Sequence, residues 1–414
     1  MARNSESHVV GSATDDTKLR RVLTTPLVVL YGLGVTIGAG IYVLVGATTE
    51  QAGYFAPISF LAAAVVVAFT AFSYAELSTR YPVSAGEAAY VEAGFQSAWL
   101  ATLVGLLVAA SGIVSASAVA IGAASYLGET LPFSQEVLSA AIVVGMAFIA
   151  TWGIAQSVAI AGLITVIEIS GLLFVMYWGF GVVEPQGTVD LASIIPGEPA
   201  HWFGIASATV LAFFAFVGFE DMANVAEEVK DPRQTMPRAI VLTLLAATVL
   251  YVGTTFAALV AVPISDLASS PAPLSLVFVN ADENIKLAFG AVAVVATVNG
   301  VLIQLIMASR VVYGLADRNH LPSILARVSP TTQTPIVATL VVAMMIVILS
   351  QTLPIEALAR HTSQIVLIVF FLVNLALMRL KRTGVKAKNA FTVPLLVPAL
   401  GMLSSVGLLA VSLV

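Results

Sequence analysis

Leu33-Gly34-Val35-Thr36-Ile37-Gly38-Ala39-Gly40-Ile41-Tyr42 and Phe213-Phe214-Ala215-Phe216-Val217-Gly218-Phe219-Glu220-Asp221 are the two stretches that decide the fold. Each interrupts an otherwise apolar run. A glycine costs a helix about 1 kcal/mol relative to alanine, so Gly34, Gly38 and Gly40 mark a place where the first run can open. Unwound backbone at membrane depth is tolerated only inside protein or against a cavity. Freed N–H groups at the positive end of a half-helix can hold an anionic group there. Close helix packing through small residues is the competing account of Gly-x-Gly alone. The second interruption, five runs later, shifts the balance: aromatic residues, a glycine and two carboxylates break another apolar helix. Matching breaks in two halves are the sequence pointer to a midplane site.

The rest of the 414 residues agree with a membrane setting. Apolar residues make up 59% and charged residues 10%, against about 25% charged in a soluble domain. The composition excludes a disordered chain, a coiled coil and a disulfide scaffold. With no cysteine, a thiol nucleophile, a thiolate metal site and a disulfide-linked subunit are excluded too. A net charge of −5 offers no basic patch for nucleic acid. No metal-ligand spacing, phosphate-cradling loop or triad appears, so neither a cofactor nor an enzyme activity is expected. His8, His201, His320 and His361 lie in separate segments; His361, beside Arg360, is a candidate pH sensor or a plain interfacial residue.

With about 20 apolar residues per crossing, eleven spans are expected: 26–49, 57–77, 97–127, 137–154, 156–183, 202–222, 238–262, 286–312, 334–353, 361–379 and 391–414. Gly153-Ile154-Ala155-Gln156-Ser157 is the expected turn between the fourth and fifth. If the N-terminus is cytoplasmic, 16 of the 18 Lys and Arg fall inside and only Lys286 and Arg360 outside, as the positive-inside rule predicts. The expected organisation is a cytoplasmic tail (1–22, no signal peptide), a first inverted repeat of five helices (23–183), an extracellular loop (184–201), a second repeat of five helices (202–382), and a loop with an eleventh helix (383–414).

At these residues the chain resembles the amino acid–polyamine–organocation superfamily of permeases, within it the bacterial amino acid permeases and the cationic-amino-acid-transporter-like branch. The stretches VTIGAGIY (35–42), SYAELSTRYPVSAGEAAYVEAGF (73–95), FFAFVGFEDMANVAEEVKDPRQTMPRAI (213–240), SRVVYGLADRNHLP (309–322) and SPTTQTPIVA (329–338) carry the resemblance. It implies an all-α membrane protein with the leucine-transporter-like five-plus-five inverted repeat. It also implies amino acid transport across the cell membrane by alternating access, as symporter, exchanger or facilitator. The resemblance further implies that Gly38, Ala39 and Gly40 offer N–H groups to a substrate α-carboxylate. Carbonyls near Thr36 and Ile37, with those of Phe214, Ala215 and Val217 ahead of Gly218, would receive the α-ammonium, and Phe214 or Phe216 would act as a lid or wall. This chain departs from the pattern at Ala39, usually Ser, and at Ala85-Gly86-Glu87-Ala88-Ala89-Tyr90, a reduced Gly-Gly-x-Tyr-x-Tyr. No residues remain for the usual twelfth helix.

Glu168 is a lone carboxylate near the centre of the fifth span, and an ionisable group at that depth is a functional candidate by default. Where proton-coupled relatives carry a Lys, the spacing Thr165-Val166-Ile167-Glu168 puts a Glu. Its roles in view are exchange of a coupling proton, recruitment of sodium, or a neutral carboxyl bonded to a backbone carbonyl. Glu227-Glu228-Val229-Lys230-Asp231-Pro232-Arg233 is expected to form an inner charge network with Arg80, Arg310 or Arg318, or else a solvated loop. The functional readings are a secondary amino acid transporter, an amine or polyamine permease favoured by Glu168, Glu220 and Asp221, and a nutrient sensor that binds without transporting.

Overall fold

The computed structural model describes residues 21, 23–83, 86–152, 157–183, 196–317, 319–330, 332, 334–384 and 390–413. Helix formation begins from proline-led starts: Pro26 in α1 (Thr25–Thr36), Pro57 in α3 (Ala56–Arg80), Pro199 in α8 (Pro199–Phe214) and Pro232 in α9 (Pro232–Ala261). Proline has no N–H to leave unpaired in a first turn. α1 stops at Ile37 and Gly38, and α2 (Ala39–Ala52) resumes. Together they form the first broken span. The second is α8, which gives way after Phe214 to a 3-10 segment, Phe219–Glu228.

Between and beyond these lie α4 (Gly86–Phe95), α5 (Ala98–Gly128), α6 (Gln135–Trp152) and α7 (Ser157–Gly181). After α9 come α10 (Ile264–Ser269), α11 (Glu283–Asp317), α12 (Ile336–Thr352), α13 (Ile355–Arg382) and α14 (Leu396–Val411). Among the described residues, seven helical runs are long and apolar enough to cross a membrane, and Thr25–Thr36, Gln135–Thr151, Ile336–Thr352 and Leu396–Val411 are shorter apolar helices. Counting each broken pair once, with α4 and α10 set aside as short connectors, the helices make eleven spans. This is an all-α integral membrane protein. Its outward faces carry apolar side chains such as Val144 (64% exposed), Leu163 (63%) and Val249 (64%), a surface suited to lipid rather than water.

Two packed groups divide the molecule. α1, α2 and α8 lie against α3 and α9, while α5 lies along α11, with α6 and α12 beside them. α7 touches α1 and α9 on one side and α11 on the other, and α13 bridges α5, α4 and α14. Buried polar side chains fasten the helices: Asn374 of α13 donates to Thr70 Oγ1 (2.9 Å) and accepts from Ser73 Oγ (2.6 Å), both on α3.

Expectation and structure differ in detail. The tenth span begins at Ile355 rather than near 361; Pro354 stands at its N-cap position, and its carbonyl accepts from Leu358 N–H (3.1 Å). His361 therefore sits in the second turn of α13, where Nδ1 meets Gln364 Oε1 at 3.0 Å. The short α4 and α10 were not legible as separate helices. α6 and α7 part where expected, although 153–156 lie outside the described residues, as do the tail to residue 20, Arg318 and 184–195.

On the face where α1 begins, Leu23 N–H donates to the Glu228 carbonyl (3.0 Å) and Lys230 N–H to the Leu23 carbonyl (2.8 Å). These bonds tie the near ends of both broken spans together. On the same face Glu76, fully buried, takes Arg80 Nε at 2.8 Å, Lys381 Nζ at 2.6 Å and the Val393 N–H at 2.7 Å. One carboxylate thus joins α3, the end of α13 and the chain leading into α14. Removing it takes away the carboxylate that these two mostly buried cations share, a loss of about 3–5 kcal/mol. Glu76→Ala is expected to lower the melting temperature in detergent far more than Glu283→Ala, whose pair with Lys286 is long and exposed (4.0 Å).

Candidate functional site

At the first break Ile37 takes φ −79°, ψ 71° and Gly38 φ −108°, ψ −153°. Gly38 N–H turns back to the Thr36 carbonyl (2.9 Å), and having no side chain it cannot cap α2. The N–H groups of Ala39, Gly40 and Ile41 therefore begin α2 without intrahelical acceptors. Ala39 is described by its backbone alone. At the second break, i to i+3 bonds link Ala215 to Ala212, Phe216 to Phe213 and Val217 to Phe214. Gly218 adopts φ +116°, a left-handed conformation that favours glycine.

The two breaks touch. A Cβ on Gly40 would stand 2.5 Å from Ala215 Cα, and one on Gly218 would stand 2.6 Å from the Val35 carbonyl oxygen. A Cβ on Gly38, by contrast, would meet nothing within 4 Å. Gly40 and Gly218 hold the crossing, whereas Gly38 faces open space.

The carbonyls differ in availability. Tyr251 of α9 directs its hydroxyl at both the Thr36 carbonyl (2.7 Å) and the Ala215 carbonyl (2.8 Å). A phenol has one proton to share between them. The Phe214 carbonyl accepts from Val217 N–H (3.1 Å). The Ile37 and Val217 carbonyls accept no hydrogen bond from another described residue. Phe216 is fully buried against Tyr251 (ring centroids 5.0 Å), and Phe214 is buried close by in sequence. Tyr251 carried no signal in the sequence, being one tyrosine in an apolar span.

Glu168 is fully buried on α7. Its Oε1 accepts from Asn299 Nδ2 of α11 (3.1 Å), and its Oε2 has no hydrogen-bond partner among the described residues. Its backbone carbonyl accepts from the hydroxyl of Tyr42, in the first turn of α2 (2.8 Å). The carboxylate thus lies between the first break and α11. Asn299 was missed in the sequence although an amide inside an apolar span was a usable signal.

Two cavities flank the breaks. On the face away from Leu23, a cavity of about 510 Å³ is lined by Glu50, Ser125, Gln135, Glu136 and Glu356, and reaches Val43 and Leu44 of α2. Towards the Leu23 face, a space of about 10 Å³, enough for one water, is bounded by Glu87, Ser111, Val217, Glu220, Asp221 and Gln304. Glu220 Oε2 accepts from Gly218 N–H (2.9 Å), and Glu87 Oε1 accepts from the Tyr74 hydroxyl (3.2 Å). Burial pushes Glu87, in the short connecting helix α4, up to about 7, with hydrogen bonds including that of Tyr74 opposing.

The model of the amino acid permease family matches residues 23–414, and the chain belongs to that family. It is a multi-pass membrane transporter of the amino acid–polyamine–organocation type, not an enzyme. Among its relatives, the branched-chain amino acid permease BcaP of Bacillus subtilis (strain 168) is 28% identical over 95% of this chain and 88% of its own length. Cationic amino acid transporter 2, vacuolar, of Arabidopsis thaliana is 31% identical over 88% of this chain and 60% of its own length. The methylthioribose transporter of Bacillus subtilis (strain 168) is 27% identical over 97% of this chain and 90% of its own length.

Gly218→Ala is expected to strain both the backbone and the contact with Val35. It should lower thermal stability and weaken ligand binding together, while Gly38→Ala should insert and melt like wild type. Glu87 gives a pH test. Its neutral form is favoured by folding, so stability is full below about 4.5 and falls as pH rises to about 7. The loss is about 3 kcal/mol in all, at 1.36 kcal/mol per unit. Melting temperatures recorded from pH 4.5 to 8 should show this decline, and Glu87→Gln should make it shallower.

Proposed function

We propose that the protein moves free α-amino acids across the cell membrane by alternating access, coupled to protons as symporter or exchanger. The observation that carries this reading is the contact of the two helix breaks, where the first N–H groups of α2 and the carbonyls of Ile37 and Val217 have no partner among the described residues. The substrate carboxylate binds the N–H groups of Ala39 and Gly40 in the space beside Gly38, at the positive end of α2. The ammonium binds the carbonyls of Ile37 and Val217, which have no other claimant. The Thr36 and Ala215 carbonyls, engaged by Tyr251, shape the site from behind, and Phe214 closes it with Phe216 as wall. Residues 23–183 and 202–382 act as the two inverted repeats. The Leu23 face, rich in Lys and Arg, is the cytoplasmic one.

In this reading the structure is closed towards the cytoplasm, where the Leu23–Lys230 bonds and the Glu76 ion pairs lie, and has its larger cavity outside. Glu168 carries the coupling proton. Relatives of similar identity are named for branched-chain amino acids, cationic amino acids and methylthioribose, so side-chain preference does not transfer by likeness. One observation favours a second reading, a cationic amino acid or amine: the outer cavity is lined by Glu50, Glu136 and Glu356 and by no Lys or Arg.

Reconstitution in liposomes with a panel of labelled amino acids and amines tests both. Uptake of amino acids with at least roughly tenfold weaker binding of their methyl esters, about 1.4 kcal/mol, is expected. Equal binding of acid and ester rejects the carboxylate site, and uptake of putrescine without alanine selects the second reading. Gly38→Val should insert normally and lose binding. Glu168→Gln should lose accumulation driven by an imposed pH gradient and keep counterflow exchange.

A further inference from the structure

Glu168 has an unusual neighbourhood for a buried carboxyl. No Lys, Arg or His forms an ion pair with it among the described residues. The titratable groups that face it are two phenols, Tyr42 of α2 and Tyr251 of α9. Both have spent their protons elsewhere: Tyr42 on the Glu168 backbone carbonyl, Tyr251 on the carbonyls of Thr36 and Ala215. Among the described residues the side chain that donates to the carboxyl is Asn299, itself 5% exposed, and it reaches Oε1. An anion held by one neutral amide in an apolar interior is costly. A neutral carboxyl suits the geometry: an amide N–H donates to the carbonyl-type oxygen, Oε1, and leaves Oε2 for the proton.

We propose that Asn299 is the positioning residue of the coupling carboxyl. It holds Oε1 while Oε2 carries the proton, and it lets go when α7 and α11 separate, so that the proton leaves only in that state. This rests on the reading of Glu168 as the coupling group. α7 sits between the two packed groups, touching α1 and α9 on one side and α11 on the other. Relative movement of those groups therefore makes or breaks the Asn299–Glu168 bond. When it breaks, water reaches the carboxyl and the Oε2–H bond dissociates. The proton passes to water, the electron pair stays on the carboxylate, and no other bond changes. Re-protonation from water on the other side reverses the step.

The test uses the full-length protein in liposomes with labelled leucine and labelled arginine as probes, and infrared difference spectra on changing pH. Asn299→Leu should cut gradient-driven accumulation by about tenfold or more, the scale of losing a hydrogen bond to an ionisable group, while counterflow stays near wild type. The C=O stretching band of protonated Glu168, identified by its loss in Glu168→Gln, should move to higher frequency in Asn299→Leu. Asn299→Leu added to Glu168→Gln should change accumulation no further. The exchange Asn299→Asp with Glu168→Gln should restore part of it, which a merely structural role would not do. Should Asn299→Leu fail to insert, Asn299→Ser, with a shorter donor, serves for the same spectrum. If Glu168→Gln loses accumulation but both Asn299 variants keep it with an unshifted band, the positioning role is overturned and the coupling role stands. If Glu168→Gln accumulates like wild type, the coupling reading falls and this inference with it.

Discussion

Backbone polar groups cannot be left to hydrocarbon, and the rest of this structure follows from how two interrupted helices meet that constraint. A break at membrane depth exposes N–H and C=O groups that cost several kcal/mol each if unpaired. Here the breaks are set against each other, Gly40 on Ala215 and Gly218 on Val35, so each is covered by the other instead of by lipid. Tyr251 takes up one carbonyl from each side. What remains unpaired is a small, opposed set: donors at the start of α2 and the carbonyls of Ile37 and Val217. In the proposed function a zwitterionic substrate completes that set.

The buried carboxylates show how neighbours assign different work to one functional group. Glu76 is surrounded by two cations and a backbone N–H, and it behaves as a fastener between helices. Glu87 has a phenol and a small polar cavity about it, so its charge depends on pH in the physiological range. Glu168 has a single amide, and its second oxygen is unclaimed. The fastener sits where the helices end, and the unclaimed oxygen sits beside the break, between the two packed groups of helices.

The Leu23 face of the molecule is built from modest parts. Two backbone bonds from Leu23 to the chain after the second break are easily exchanged for water, since a net backbone bond is worth only about 1 kcal/mol. Such a tie opens at small cost, whereas the Glu76 ion pairs hold more firmly. α13 and α14 thus belong with α3 as a stable unit.

Much of this was written in the sequence. Hydropathy over runs of about 20 residues suits membrane helices, so the eleven spans and the division of the fourth from the fifth within Gly153 to Ser157 were legible. The breaks were legible as well, because glycine beside glycine, or glycine beside carboxylates, inside an apolar run has few other physical meanings. Glu168 stood out for the cost of burying its charge. What the sequence left open was decided by residues far apart in the chain. The glycines look alike in sequence, yet Gly40 is a contact and Gly38 a space, because only the approach of Ala215 distinguishes them. Thr36 and Ala215 look as available as Ile37 and Val217 until Tyr251 arrives from another helix. Glu76 reads as one more charge near a helix end, and its partners Lys381 and Val393 lie some three hundred residues away. Local propensity and hydropathy are properties of a segment, but which polar atoms stay unpaired depends on what the other segments bring to them, and only tertiary packing sets that.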